Sequence, residues 1–186
     1  MACLRLPLIL CVCLLSLPGC GPILLRDDAA GTYARASSGR LELHRAIDIR
    51  AGRARAYLQD GASVSRVDEF RPHCQLEVNT LRKSPQTVQA DSFTVTRIGA
   101  RIDQVVEATP LRLAALEGFV PDPLAHFGDG ELRRMQVYIF YLQSDRQPDV
   151  RALSCGGAFD SPGRARRPSL GDIARALGDY ASLRLR

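Results

Sequence analysis

The stretch Met135-Gln136-Val137-Tyr138-Ile139-Phe140-Tyr141-Leu142 decides the fold class of this 186-residue chain. It is rich in aromatic and β-branched residues, which favour a β-strand, and polar and apolar residues do not alternate along it. A strand without alternation is typical of the centre of a sheet, where both faces are covered. We therefore expect residues 135–142 to form a central strand.

Further strands are predicted on both sides of this segment. Several stretches alternate apolar and polar residues with a period of two, which is typical of strands that bury one face. The expected strands cover residues 41–49, 53–59, 74–78, 92–98 and 150–155, with a short closing strand at Leu183 and Leu185.

Turn signals predict how the first strands connect. Ala51-Gly52 separates the first two expected strands, so we expect these strands to form a hairpin, although Arg45 interrupts the apolar face of the first. Asp60-Gly61 is a strong turn dipeptide at the end of the second strand. Farther along, we expect a short helix over Leu111–Glu117 and a long loop from there to residue 130.

One helix is predicted near the C-terminus. Ser169 is expected to be its N-cap, and Asp172, three residues later, completes an approximate capping box. The spacing of Leu170, Ile173, Ala174 and Leu177 places them on one apolar face, and Gly178 supplies the stop. The strands and this helix together predict a mainly β (α+β) fold, an antiparallel sheet or small sandwich with one C-terminal helix packed on it.

The first twenty residues differ in character from the rest. Arg5 precedes an apolar run of about 12 residues, the length of a signal-peptide core and short of the roughly 20 residues that cross a bilayer. The run ends in Leu17-Pro18-Gly19-Cys20. This ending resembles the lipobox of bacterial lipoproteins, although Pro18 stands where Ser, Ala or Thr is usual. The small-x-small cleavage pattern of an ordinary secretory peptide is poorly met.

The resemblance implies the organisation and the compartment of the chain. Residues 1–19 would be a signal peptide, and residues 20–40 a lipidated N-terminus and flexible tether. Residues 41–186 would form a single β-rich periplasmic domain. Cys20 would carry the lipid, so the membrane is a partner through two or three acyl chains. Gly21 stands where an inner-membrane retention aspartate would be, which implies an outer-membrane anchor facing the periplasm. An inner-membrane anchor and a soluble periplasmic protein are the alternatives.

The resemblance also sorts the six cysteines. Three would leave with the signal peptide and a fourth would carry the lipid, namely Cys3, Cys11, Cys13 and Cys20. Cys74 and Cys155 remain, and in an oxidising compartment we expect them to form one disulfide. A reactive thiol is the competing hypothesis, since Cys155 precedes two glycines and His73 adjoins Cys74.

The charge pattern argues against a nucleic-acid partner. The chain has a net charge of +5, and Lys83 is the only lysine among its basic residues. These residues are dispersed among acidic ones, and even the tightest cluster, at 164–167, lacks the interleaved aromatics of a nucleic-acid site. We expect a solvated, mildly cationic surface and no nucleic-acid partner.

Motifs of catalysis and cofactor binding are absent from the sequence. It contains no nucleophile elbow, phosphate loop, dinucleotide fingerprint or zinc helix. The histidines at 44, 73 and 126 lie far apart, and the loop with Asp122, Asp129 and Glu131 does not match calcium-loop spacing. We therefore expect no catalytic residues, no metal site and no cofactor.

Residues 70–77, the tripeptide Leu153-Ser154-Cys155 and the terminal helix resemble uncharacterised proteobacterial envelope proteins. The resemblance implies a disulfide and packing rather than a reaction. We expect a lipid-anchored, non-enzymatic protein that binds or supports another envelope component, possible partners being envelope proteins. Two alternatives stay open. One is a small-molecule or lipid-binding β module with a hollow sheet interior, and the other is a hydrolase with an unrecognised site that uses Cys155 or His73.

Overall fold

The computed structural model describes residues 22–107 and 131–186. This part of the chain is mainly β, a curled antiparallel sheet with one C-terminal helix, so the predicted fold class is confirmed. The strands are β1 (Ile23–Asp27), β2 (Thr32–Ala36), β3 (Gly39–Leu43), β4 (Ile47–Ile49), β5 (Arg55–Gln59), β6 (Ala62–Val64), β7 (His73–Val78), β8 (Gln86–Val88), β9 (Asp91–Glu107), β10 (Glu131–Gln143), β11 (Val150–Gly156) and β12 (Ala181–Leu185). Helix α1 covers Leu170–Leu177.

The main sheet has eight strands in the order β12-β3-β9-β10-β11-β7-β5-β6, and neighbouring strands run antiparallel. Strand β10, which contains the quoted stretch 135–142, is fourth in this order, so its predicted central position is confirmed. It pairs with the 17-residue β9 along its whole length, with one register shift between Tyr141 and Leu142. The expected strands at 74–78, 92–98 and 150–155 and the closing strand are also present.

The core lies on one face of the main sheet, which we call the inner face. Helix α1 packs against this face and against β1. Its buried residues Ile173, Ala176 and Leu177 join a single apolar cluster with the sheet. The largest fully buried side chains include Leu58, Leu76, Phe93, Tyr138, Phe140 and Leu153. Burial of these side chains is the main stabilising contribution to the fold.

The helix begins at the predicted capping box. Ser169 Oγ accepts from the Asp172 backbone N–H at 3.1 Å, and the Asp172 carboxylate accepts from the Ser169 N–H at 3.0 Å. The C-cap is Gly178, as predicted, with a φ of 51°. A side chain at this position would collide with the backbone of Gly61 in the β5–β6 turn, so glycine is required there by both conformation and space.

The predicted flexible tether at residues 20–40 is wrong for its described part. Residues 23–36 form the β1–β2 hairpin, in which Leu25 is fully buried. The hairpin is held because Leu25 joins the core cluster and because the Tyr138 hydroxyl donates to the Leu24 carbonyl at 2.8 Å. The folded domain therefore includes residues 23–36, which precede the predicted boundary at residue 41.

The predicted single strand at 41–49 is also wrong. It divides at residues 44–46, where the His44 and Arg45 N–H groups donate to the Tyr180 carbonyl instead of a neighbouring strand. Strand β3 stays in the main sheet, whereas β4 pairs with β8. The expected hairpin of 41–49 with 53–59 is therefore absent. Strand β5 pairs with β6, through the predicted Asp60-Gly61 turn, and with β7.

Several expectations fall outside the described residues. These are the signal peptide, the lipidation site Cys20, the short helix over Leu111–Glu117, His126, Asp122 and Asp129. Within 22–107 and 131–186, no helix has the length and apolar character needed to cross a membrane.

Candidate functional site

The predicted disulfide between Cys74 and Cys155 is present and joins β7 to β11. Cys74 and Cys155 lie directly opposite each other in the strand register, and both are buried on the inner face. The predicted pairing is confirmed. A disulfide sulfur has no thiolate, so this structure does not contain the free nucleophile at Cys155 that the competing hypothesis requires.

The opposite side of the main sheet, which we call the outer face, carries an unusual set of buried polar side chains. Gln59, His73, Gln75, Glu77 and Ser154 are all buried there. The alternation along β7 predicts a solvated face at His73, Gln75 and Glu77. Gln75 and Glu77 instead bond to side chains of β5 and β11, and at the His73 end the segment around Phe159 crosses to the loop before β7, where the Phe159 N–H donates to the Glu69 carbonyl at 2.9 Å.

A hydrogen-bond network connects three strands across this face. The Glu77 Oε1 atom accepts from Gln75 Nε2 at 3.0 Å and from Ser154 Oγ at 2.8 Å. Its Oε2 atom accepts from the Arg151 guanidinium at 2.8 Å. Arg55 on β5 donates to Gln75 Oε1 at 3.4 Å. We call these five residues the outer-face network.

The network satisfies the buried carboxylate of Glu77 almost completely. A buried charge is costly unless it is paired and hydrogen-bonded, and here both oxygens are engaged by three donors. The Ser154 hydroxyl donates to this carboxylate rather than to a histidine. The arrangement is a rigid, charged framework, and it differs from a serine that is activated by a base.

His73 lies beside the network. Its Nδ1 atom is 3.1 Å from the Arg71 carbonyl, and its ring lines a cavity of about 190 Å³. Met135, Val137 and Phe159 form a small apolar cluster in the same place. Because a carbonyl oxygen only accepts, Nδ1 is the donor in this contact.

A second cavity of about 380 Å³ adjoins the first, and the two share Arg55, Tyr57, Val67 and Glu69. Four arginines line the larger one, and we call it the arginine groove: Arg50, Arg53, Arg55 and Arg66. Asp48 and Glu69 also line it, and Asp48 accepts from the Thr87 hydroxyl at 2.7 Å. Within the described residues, none of the four arginines forms an ion pair with a carboxylate.

Another polar cluster lies around Asp91, the first residue of β9. Burial raises the pKa of the Asp91 carboxyl, but hydrogen bonds from the side chains of Ser144, Arg146 and Gln147 and from the Ser92 N–H outweigh it and hold the pKa well below its usual range. This cluster connects the start of β9 to the β10–β11 turn. Its carboxylate is saturated with donors, and we assign it a structural role.

The remaining candidate residues are scattered. His44 is exposed and hydrogen-bonds Ser182 Oγ at 3.0 Å, far along the sheet from His73. Glu131 begins β10. The described residues contain no group of three or more His, Cys, Asp or Glu side chains placed to hold a metal.

Sequence reasoning missed the outer-face network and the arginine groove. The available signal was that Gln75 and Ser154 adjoin the two disulfide cysteines and that Glu77 lies two positions after Gln75, since alternate residues of a strand share a face. Comparisons with protein families, curated proteins and solved structures gave no match.

Proposed function

We propose that this chain is a lipid-anchored lipoprotein of the bacterial cell envelope that binds another envelope component without catalysis. The lipid would be on Cys20, in the outer membrane, and the domain would face the periplasm. The observation that carries the binding role is the arginine groove, where four guanidinium groups surround one cavity without a carboxylate partner of their own among the described residues.

The groove has the chemistry to bind an anionic group. Guanidinium groups offer planar pairs of donors that match carboxylate and phosphate oxygens. Asp48 and Glu69 lower the positive charge of the groove without cancelling it. We infer that the bound component presents a carboxylate or phosphate.

The outer-face network supports this role by fixing the floor of the groove. Arg55 belongs to both, since it donates to Gln75 and also lines the cavity. A rigid floor reduces the ordering cost of binding. The packed inner face favours this proposal over a lipid-binding module, which needs a hollow sheet interior. Phe93 and Phe140 on this inner face, and Ile173 and Leu177 of the helix α1 that packs on it, are fully buried.

Metabolic labelling with radioactive palmitate tests the anchor. Wild type is expected to incorporate the label and the Cys20→Ala variant to lose it. Equal labelling of the two proteins contradicts the lipoprotein assignment.

Photo-crosslinking in the intact envelope tests the binding role. A photoreactive amino acid at Ser65, which lines the groove, is expected to give a discrete adduct, and one at the exposed Ala90 is not. The double variant Arg50→Glu/Arg53→Glu should abolish the adduct, whereas Arg184→Glu, an exposed charge reversal elsewhere, should leave it. Adducts that are equal in all variants refute the groove as the binding site.

A further inference from the structure

The β1–β2 hairpin leaves almost no chain between the folded domain and the proposed anchor. Only Gly21 and Pro22 separate Cys20 from Ile23, the first residue of β1, and the three Cα–Cα steps from Cys20 to Ile23 span at most about 11 Å when fully extended. The hairpin cannot swing away from the domain, because Leu25 is fully buried in the core cluster. A lipid on Cys20 would therefore hold this part of the domain directly against the bilayer.

One face of the hairpin is opposite to the face that carries the buried Leu25. In the hairpin register Leu24 is opposite Arg35, and Arg26 is opposite Tyr33, so these four side chains share this second face. Tyr33 is 65% exposed and Leu24 is 46% exposed. Leu24 and Tyr33 also line a cavity of about 410 Å³ together with Arg166 and Arg167. We call Leu24, Tyr33, Arg35, Arg166 and Arg167 the hairpin surface.

The hairpin surface carries a net positive charge. Within the described residues, Arg35, Arg166 and Arg167 have no ion pair with a carboxylate. Arg26 adds little, since it pairs with Asp28 at 2.9 Å and lies 3.6 Å from Asp172.

Its composition fits a membrane surface. Tyrosine is enriched at the level of lipid headgroups, where its ring is covered and its hydroxyl stays wet. Arginine side chains lie along apolar surface while their charged ends reach anionic headgroups.

We propose that the hairpin surface rests on the membrane, with Leu24 and Tyr33 at the level of the headgroups and the three arginines on anionic lipids. This inference depends on the proposed lipid anchor at Cys20. It gives the domain a fixed orientation, in contrast to a domain on a flexible tether.

The absence of tryptophan from the chain makes a direct test possible. Full-length, lipidated Tyr33→Trp protein is reconstituted into vesicles that contain phosphatidylglycerol and brominated phosphatidylcholine. The matched control is Leu81→Trp. Leu81 is also 65% exposed, and it lies in the loop that follows the C-terminal end of β7, outside the hairpin surface. The Tyr33→Trp indole is expected to be quenched by the bromines and blue-shifted, whereas the Leu81→Trp indole is not.

The charge contribution is tested in the same system. Replacing Arg166 and Arg167 by Glu in the Tyr33→Trp protein should reduce the quenching. Each basic residue near an anionic surface is expected to change the ratio of docked to undocked domains roughly fivefold. Vesicles without phosphatidylglycerol should reduce the quenching of the parent Tyr33→Trp protein as well.

The outcomes separate the two proposals. Equal quenching at both positions, in protein that takes up palmitate and floats with the vesicles, overturns the proposal that the hairpin surface rests on the membrane. The proposed lipid anchor is then unaffected. A blue shift without bromine quenching also overturns it, since the indole would then be covered by protein. Loss of palmitate labelling removes the anchor before the vesicle experiment begins.

Discussion

Removing the Cys74–Cys155 disulfide is expected to cost this domain about 4.5 kcal/mol of unfolding free energy. The bond joins residues 81 positions apart. In the chain-entropy description, closing a loop of this length removes about 15 cal/mol/K from the unfolded ensemble, which is about 4.5 kcal/mol at 25 °C. Since small domains have about 5–15 kcal/mol in total, this is a large share.

The perturbation is made in two ways, because the sulfurs also pack. Both cysteines are buried in the core cluster. The Cys74→Ala/Cys155→Ala variant loses the cross-link and the packing of both sulfurs. Chemical reduction of the wild type loses only the cross-link, since a free cysteine still behaves as a small apolar residue. The difference between the two losses of unfolding free energy gives the contribution of sulfur packing.

The assay is urea unfolding of purified full-length protein, followed by far-ultraviolet circular dichroism. With a slope of about 2 kcal/mol per molar urea, a loss of 4.5 kcal/mol moves the midpoint down by about 2 M. The slope itself should rise, because an uncross-linked chain exposes more surface when it unfolds. Free energies extrapolated to water should therefore be compared together with the midpoints.

Two results would refute this reasoning. Oxidised and reduced wild type that unfold at the same midpoint with the same slope would show that the bond constrains nothing. Mass spectrometry that detects free thiols at both cysteines in protein purified without a reducing agent would show that the bond is absent.

Three further predictions concern other parts of the domain. Leu25→Ala is expected to lower the free energy of unfolding by about 2–5 kcal/mol, because this side chain is fully buried. Leu24→Ala, at the exposed neighbouring position, should change it by no more than about 0.5 kcal/mol. Equal urea midpoints for the two variants would contradict the packing of the hairpin on the core. Ser169→Ala is expected to cost about 1 kcal/mol by removing the cap of α1, and Ser169→Thr should restore most of it in thermal unfolding. The pKa of Asp91 is lowered in the folded state, so its stabilising contribution is present above the unfolded-state value of about 4 and is lost as the pH falls below it. Asp91→Asn should flatten this acid-side fall of the unfolding free energy, and an unchanged pH profile contradicts the assignment.

Sequence pattern predicted the parts of the fold that local physics determines. The aromatic and β-branched residues of β10, which do not alternate with polar ones, indicated a central strand, and the Ser169–Asp172 capping box indicated the start of α1. Each of these signals lies within a few residues, so no knowledge of distant partners was needed.

The hairpin and the strand pairings were missed because they depend on distant residues. Burial of β1–β2 depends on Leu25 and Ala36, in a segment whose apolar residues show no regular period and which contains turn formers. The division between β3 and β4 depends on Tyr180, which follows them by more than 130 positions and accepts the N–H groups of His44 and Arg45. The alternation of residues within one segment shows neither the burial of the hairpin nor the contact with Tyr180.

The candidate site was hidden for a related reason. Alternation along β7 correctly placed Gln75 and Glu77 on the face opposite to Cys74, but it predicted solvent there. Covering that face requires donors from other strands, namely Ser154 and Arg151 on β11. The sequence shows these residues as polar and cannot show that they meet.

The disulfide and the outer-face network depend on the same strand register. Because side chains alternate between faces, joining Cys74 to Cys155 on the inner face sets Gln75 directly opposite Ser154 on the outer face. A shift of β7 by one residue along β11 would turn the side chains of β7 to the wrong faces, and Cys74 and Cys155 would then lie on opposite sides of the sheet. The cross-link therefore does more than lower the entropy of the unfolded chain. It selects the single register in which Ser154 and Gln75 reach the Glu77 carboxylate, and with it the position of Arg55 in the arginine groove.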